Sequence, residues 1–296
     1  MNYYKIYGKR MISDYELPQL VKQTEEEKLL PQDITIKAGV FPEELKLDKP
    51  CWSEIKKPVS LLSNFTCWLY VTADEIIYEL KKDTKTPQYL NSYLLGWGLS
   101  MLFWERNEPA IHCSCVYNEK GAVIISGNSG CGKSTVTAHF LDHGYGLVAD
   151  DISVVQLRED GAYATPCFPA QKFCRDVVTA RNLNTDDLIY INEEKDKFLV
   201  PYEGDFPSEP IKIRCMIVLG KAAVDAPVLD EPTGLGKFLT CLNSLFLKPL
   251  LRQDLNAQEN ATPMLKMASY FPVYTLVRPE EGDTKKEVLE LLNTLM

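Results

Sequence analysis

Hydrophobic residues in this chain fall first into short alternating runs, then into a helical repeat, then into continuous apolar stretches. Over residues 1 to about 60, Tyr3-Lys5-Tyr7 and Ile34-Ile36 alternate, and Pro18, Pro31, Pro42 and Pro50 interrupt, which predicts short strands and turns. Thr66 to Val71 and Glu75 to Leu80 predict two strands around a turn at Asp74. From Pro87 to Arg106 the spacing of Leu90, Tyr93, Leu94, Trp97, Leu102 and Phe103 becomes that of a helix with one buried face. Trp97 and Trp104 read as core rather than as a platform for stacking bases.

Near Arg106 the pattern changes again. Ile111 to Tyr117 and Ala122 to Ser126, separated by Asn118-Glu119-Lys120-Gly121, predict a hairpin whose second strand is apolar and buried. A glycine-rich loop comes next, then a helix from Lys133 to about His143, stopped by Gly144 and Gly146. Leu147-Val148-Ala149 predicts a strand that ends at Asp150-Asp151. Ile152 to Leu157, Lys212 to Leu219 and Val273 to Val277 predict further strands, and residues 234 to 248 and 286 to 295 predict helices. The expected organisation is α/β, with an N-terminal accessory α+β region over residues 1–105 and a larger domain over 106–296. No internal repeat or low-complexity tract interrupts it.

Composition narrows the function classes. A net charge of -9 argues against broad nucleic-acid binding, which needs clustered Lys and Arg, but leaves room for a local nucleotide pocket. The most apolar stretch, Tyr93 to Trp104, is far shorter than the ~20 residues that span a bilayer, so no membrane partner is expected. The opening Met1-Asn2-Tyr3-Tyr4-Lys5 lacks the basic-then-apolar pattern of a secretory signal. Nine cysteines, scattered irregularly from Cys51 to Cys241, suit reduced thiols better than a disulfide framework, and a cytoplasmic location is expected.

The glycine-rich loop carries the strongest chemical signal. Gly127-Asn128-Ser129-Gly130-Cys131-Gly132-Lys133-Ser134 fits G-x-x-x-x-G-K-[ST] without a mismatch, and Thr135 continues into the helix. In such a P-loop, glycines let successive backbone N–H groups turn toward phosphate oxygens. The adjoining helix presents its positive end. Lys133 would reach the β- and γ-phosphates of ATP, and the Ser134 hydroxyl would ligate Mg²⁺. Chance alone gives such a match roughly once in a hundred chains of this length. The buried strand before it and the helix after it lower that further.

Asp150-Asp151 offers two carboxylates at a strand end just after the P-loop helix, only sixteen positions beyond Ser134. One could hold the metal while the other takes a proton from an attacking hydroxyl. Taken alone, the pair is equally well explained as solvated turn residues. The apolar strands on either side favour a place on a buried sheet.

At these residues the chain resembles the HPr kinase superfamily. The resemblance rests on the loop, on Gly144-Tyr145-Gly146-Leu147-Val148-Ala149-Asp150-Asp151, and on the preceding Ile111-His112-Cys113-Ser114-Cys115-Val116. Pro166 to Phe173, Lys197 to Pro201 and Ile211 to Arg214 are similar to later family segments. Tyr4 to Gly8, Leu17 to Leu20 and Asp33 to Ile36 are similar to the front of HPr-kinase-like proteins found beside peptide-modification genes. The resemblance implies a mixed, strongly twisted sheet with a P-loop, of the type shared with phosphoenolpyruvate carboxykinases. It implies Asp150 as base, Asp151 as metal partner and His112 as the group orienting one of them, and it is compatible with a homo-oligomer. The family's long glycine-rich signature and its basic C-terminal segment are absent, so HPr itself is not the expected acceptor. A Ser or Thr hydroxyl of a small protein or precursor peptide is.

Other candidates are weaker. Lys172 and Arg214 could neutralise a transferred phosphoryl group, and each is equally well a surface charge. Cys131 could be a reactive thiolate or simply a small loop residue. Cys113-x-Cys115 and the His139–His143 pair lack the further ligands of a metal site. A small-molecule kinase and a nucleotide-binding regulator without turnover are the competing functions.

Overall fold

The computed structural model describes residues 1–192, 196–247 and 258–295. They make a mixed α/β architecture with several sheets, divided between two units. One holds residues 1–108 with 170–192 and 196–202; the other holds 109–169, 203–247 and 258–295.

In the first unit, β1 (Asn2–Ile6), β2 (Lys9–Ser13), β3 (Val21–Lys22), β4 (Ile34–Ala38), β5 (Trp52–Glu54), β6 (Ser60–Ser63), β7 (Cys67–Val71) and β8 (Glu75–Leu80) form one sheet. Their order is β3-β1-β2-β4-β8-β7-β6-β5, and β4 runs parallel to both of its neighbours. Of the two alternating sets in β1, Tyr4 and Ile6 face the core, as do Ile34 and Ile36 in β4. Residues 87–105 are helical, as their spacing predicts, but they are not one regular α-helix. A π-helical stretch, Tyr93–Gly98, precedes the α-helix Leu99–Glu105. A Cβ at Gly98 would lie 3.2 Å from Ile76 Cδ1, so glycine lets the widened turn approach β8 closely. Arg106 ends the run by donating to the carbonyls of Asp33 and Ala73.

The chain then enters the second unit with β9 (Ala110–Asn118), β10 (Gly121–Gly127), the helix Lys133–Asp142 that follows the glycine-rich loop, β11 (Gly146–Ala149), β12 (Ile152–Arg158) and β13 (Gly161–Ala164). It returns to the first for β14 (Ala170–Cys174), β15 (Ile189–Asn192) and β16 (Asp196–Pro201), an antiparallel sheet in which Phe173 stands opposite Phe198. It finishes in the second with β17 (Ile211–Ala222), β18 (Val228–Asp230) and β19 (Val273–Pro279), along with the helices Gly234–Asn243, Gln258–Tyr270 and Lys285–Asn293. The helix expected over 234–248 thus ends at Asn243, and Lys248 lies outside the described residues. Among the described residues no helix is long and apolar enough to cross a membrane.

Strand β10 is buried because it pairs on both edges, antiparallel to β9 and parallel to β17. From β9 the pairing passes to β12, then β13, then back to β17, which closes a circuit of five strands. β19 continues outward from β17. The far edge of β9 is shared: β12 takes Ala110 to His112, and β11 takes Cys115 to Tyr117. The helix Lys133–Asp142 packs Val136 and Phe140, and the helix Lys285–Asn293 packs Val288 and Leu292, into one cluster with Val123, Ile125, Ile217, Leu219 and Leu276.

The end of the helix Lys133–Asp142 sets the direction in which the chain enters β11. Gly144 adopts φ +84°, its amide donates to the Leu141 carbonyl, and the Tyr145 amide donates to the Phe140 carbonyl. This is a Schellman motif, closed by edge-to-face contact of Phe140 with Tyr145 at 4.9 Å. A Cβ at position 146 would fall 2.3 Å from the Tyr117 ring, so glycine lets the chain enter β11 against that ring. Phe140→Ala should therefore cost ~3–5 kcal/mol in urea unfolding of this unit, combining lost burial with a cavity at the motif. A cost under about 1 kcal/mol would show that the cluster does not depend on that ring.

Candidate functional site

The loop leaves the sheet at Gly127, which has φ +142°; a Cβ there would lie 2.4 Å from the Leu219 carbonyl oxygen. Close approach of β17 thus excludes any side chain at this position. Gly130 (φ +82°) and Gly132 (φ +104°) have open space around them and are required for conformation alone. Asn128, Ser129, Ser134 and Thr135 are exposed, while Cys131 turns inward and joins the apolar cluster beneath the loop. Gly132 caps the helix that begins at Lys133.

Lys133 folds back over the loop. Its Nζ donates to the Gly127 carbonyl at 2.6 Å and more weakly to that of Asn128 at 3.4 Å. Burial pushes its ammonium below the ordinary lysine value, and the nearby Asp151 carboxylate is the largest influence in the other direction. The lysine and the paired carboxylates therefore act on one another.

The chain crosses from β11 to β12 at Asp150 and Asp151, next to the middle of β9. Asp150 Oδ1 accepts a 2.6 Å hydrogen bond from the buried Ser114 hydroxyl. Asp151 holds φ +74°, a left-handed conformation uncommon for a residue with a side chain, and its carbonyl accepts from the Cys113 amide. A non-glycine residue held there is a frequent mark of a functional turn. His112 stands opposite Ile152, with Nδ1 3.9 Å from Asp151 Oδ1, near the carboxylate but beyond hydrogen-bonding distance. His112 and Ser114 are two apart on β9 and share a face, so one strand serves both carboxylates. Ser126 at the end of β10 donates to the His112 carbonyl and ties that strand to the loop.

Ser114 is the residue whose role sequence reasoning missed. The signal was available: a serine two positions beyond His112, on a strand predicted to lie beside the aspartates. Arg214 moves the other way. It lies near the start of β17, while Leu219 of the same strand pairs with Gly127. Five strand residues, or roughly 17 Å, separate it from the loop. Its guanidinium donates to the Leu295 carbonyl, so it ties down the chain end rather than meeting phosphate. Lys172 belongs to the other unit, on β14 opposite Leu199. His139 contacts Asn293 at 3.2 Å, and His143 closes the helix at the C-cap.

Ser134, Asp150 and Asp151 supply hard oxygen donors, and among the described residues no group of three or more His, Cys, Asp or Glu side chains gathers to hold a metal. A divalent ion here would need further oxygens from phosphate and water, which is how Mg²⁺ is usually held.

No family model matches the chain, and no curated protein sequence matches it. Among solved structures it is similar to the HPr(Ser) kinase/phosphatase from Coxiella burnetii, at 15% sequence identity and a TM-score of 0.31, over 63% of this chain and 87% of that one. A likeness of that degree decides nothing about activity, and the functional reading rests on the site itself.

The thiols give a direct check on the packing. Cys113 and Cys115 are buried on β9, and burial pushes both well above the ordinary thiol value. Of the nine cysteines, Cys51 is exposed, Cys174 is half-buried and the rest, Cys131 included, are buried. In native protein at mild alkaline pH, Ellman's reagent should label Cys51 first, then Cys174, with the others reacting only on unfolding. Labelling of Cys131 as fast as Cys51 would contradict its inward position.

Proposed function

We propose that this protein is an ATP- and Mg²⁺-dependent kinase that transfers the γ-phosphate to a hydroxyl group. The observation that carries the reading is the joint placement of the Gly127–Ser134 loop, Lys133 and the Asp150-Asp151 turn on neighbouring strands of one sheet. Three positive-φ glycines curl the loop, and a helix starts at its end.

In this reading the loop amides bind phosphate oxygens, and Lys133 exchanges the Gly127 carbonyl for an oxygen of the β- or γ-phosphate. Ser134 and Asp151 hold the metal. Bound Mg²⁺ would neutralise charge on the phosphate oxygens during transfer. Asp150, held by Ser114, accepts the acceptor's proton as its oxygen bonds to phosphorus and the bond to the ADP oxygen breaks. His112 sits by Asp151 and keeps that carboxylate oriented. For the acceptor, support comes from the sequence resemblance alone, which points to a Ser or Thr hydroxyl of a protein or precursor peptide.

The test follows the γ-phosphate of labelled ATP, with Mg²⁺, in a lysate of the source organism. Wild type should label a discrete protein or peptide. Asp150→Asn should reduce transfer about 10²–10⁴-fold while retaining nucleotide affinity. Ser114→Ala should reduce it about tenfold through a less well held carboxylate. Lys133→Ala should weaken nucleotide binding itself. Label on small metabolites would instead indicate a small-molecule kinase. Tight binding without transfer by wild type would indicate a regulatory nucleotide-binding protein.

A further inference from the structure

Two segments share the edge of β9 that faces β10. Strand β10 itself pairs with Cys113 to Asn118 and then departs into the loop. Ala110 to His112, which β12 holds on the other edge, would be left open there. The short segment after the helix Gly234–Asn243 fills the gap. The His112 amide donates to the Ser244 carbonyl and the Phe246 amide to the Ala110 carbonyl, both at 2.9 Å, with Ile111 opposite Leu245. His112 is thereby held from both edges, and Phe246 is fixed to the strand that carries His112 and Ser114.

Alternation along the two segments sorts their side chains. Ile111, Leu245 and Leu247 are buried, so His112 and Phe246 belong to the opposite face. Both are half-buried, and their ring centroids lie 6.1 Å apart with the planes inclined at 44°. On this same face Ser114 meets Asp150, and His112 approaches Asp151. Leu245 and Leu247 already anchor the segment in the core. Phe246 adds something different, an accessible apolar surface beside the carboxylate turn.

We propose that Phe246 is a wall of the acceptor site and selects acceptors whose hydroxyl stands next to an apolar group. An acceptor carrying its own phosphate or carboxylate would bring that charge against Asp150 and Asp151. An apolar side chain beside the hydroxyl instead covers the Phe246 ring and removes both surfaces from water. In a peptide, the acceptor is then a Ser or Thr with an apolar neighbour. This assignment rests on the kinase reading and adds what the acceptor must carry.

The experiment takes two measurements on the full chain. One is the initial rate at which γ-labelled ATP labels the lysate acceptor, over a series of lysate dilutions. The other is the affinity for ADP with Mg²⁺, by titration calorimetry. Phe246→Gln keeps much of the bulk but makes it polar. It should label the acceptor about tenfold or more slowly in dilute lysate, with the deficit shrinking as the lysate is concentrated, and bind ADP within about twofold of wild type. Phe246→Leu should restore the labelling rate to within about threefold of wild type. In the acceptor labelled by wild type, mass spectrometry should find an apolar side chain directly before or after the phosphorylated residue, a result that holds even if Phe246→Gln fails to fold. Unchanged labelling by folded Phe246→Gln, loss of ADP affinity in parallel with labelling, or a Phe246→Leu variant as slow as Phe246→Gln would overturn the assignment and leave the kinase reading in place. Polar residues on both sides of the phosphorylated one, or transfer to an anionic small metabolite, would do the same. Wild type that binds ADP and labels nothing would overturn the kinase reading and this assignment with it.

Discussion

Double-sided pairing of β10 is the constraint on which the candidate site depends. A strand hydrogen-bonded to β9 on one edge and to β17 on the other cannot shift its register without breaking two ladders. Its apolar run, Ala122 to Ile125, therefore stays buried on both faces, and Gly127 emerges at one fixed height. At that height the Leu219 carbonyl leaves no room for a side chain. The loop is thus anchored at its root by backbone pairing rather than by its own exposed residues. Its outer positions, Asn128 to Gly130, can remain open to solvent.

The same sheet brings the carboxylates to the loop by a short route. The helix after the loop buries Val136 and Phe140 and stops at Gly144, and the Schellman motif turns the chain directly into β11. β11 has room for only four residues along β9 before β12 occupies the rest of that edge. The switch between them falls at Asp150 and Asp151, and forcing both strands onto one edge puts Asp151 in a left-handed conformation. Ser114 and His112, on the strand that both pair with, then meet the two side chains. Sixteen positions from Ser134 to Asp150 are what one helix, one glycine turn and one short strand require.

Much of this was legible in the sequence, for reasons that differ by residue. The hairpin, the loop and the strand Gly146–Ala149 are encoded by local signals: an apolar run, glycines at fixed offsets and a helix stop. The helical run after Pro87 showed its buried face but not its π-helical stretch, at the end of which Gly98 packs against Ile76 of β8. Strands β14 and β16 were visible only as segments of family resemblance. Their pairing, Phe173 opposite Phe198, joins residues separated by a helix and another strand. Arg214 stood as a candidate for neutralising a transferred phosphoryl group and equally as a surface charge. Parallel pairing of β17 with β10 carried it to the far end of the sheet.

By itself, then, the sequence determined the residues on offer: a glycine-rich loop, a lysine and a serine at its end, and two carboxylates soon after. Their local placement follows from the conformational freedom of glycine and from the local periodicity of burial, and both act over a few residues. Only the tertiary structure decided which groups meet. It gave Asp150 to Ser114, set His112 beside Asp151 and removed Arg214 from the loop. Those outcomes depend on strand order and register, which are set by hydrogen bonds between segments up to about a hundred residues apart and leave no local trace along the chain.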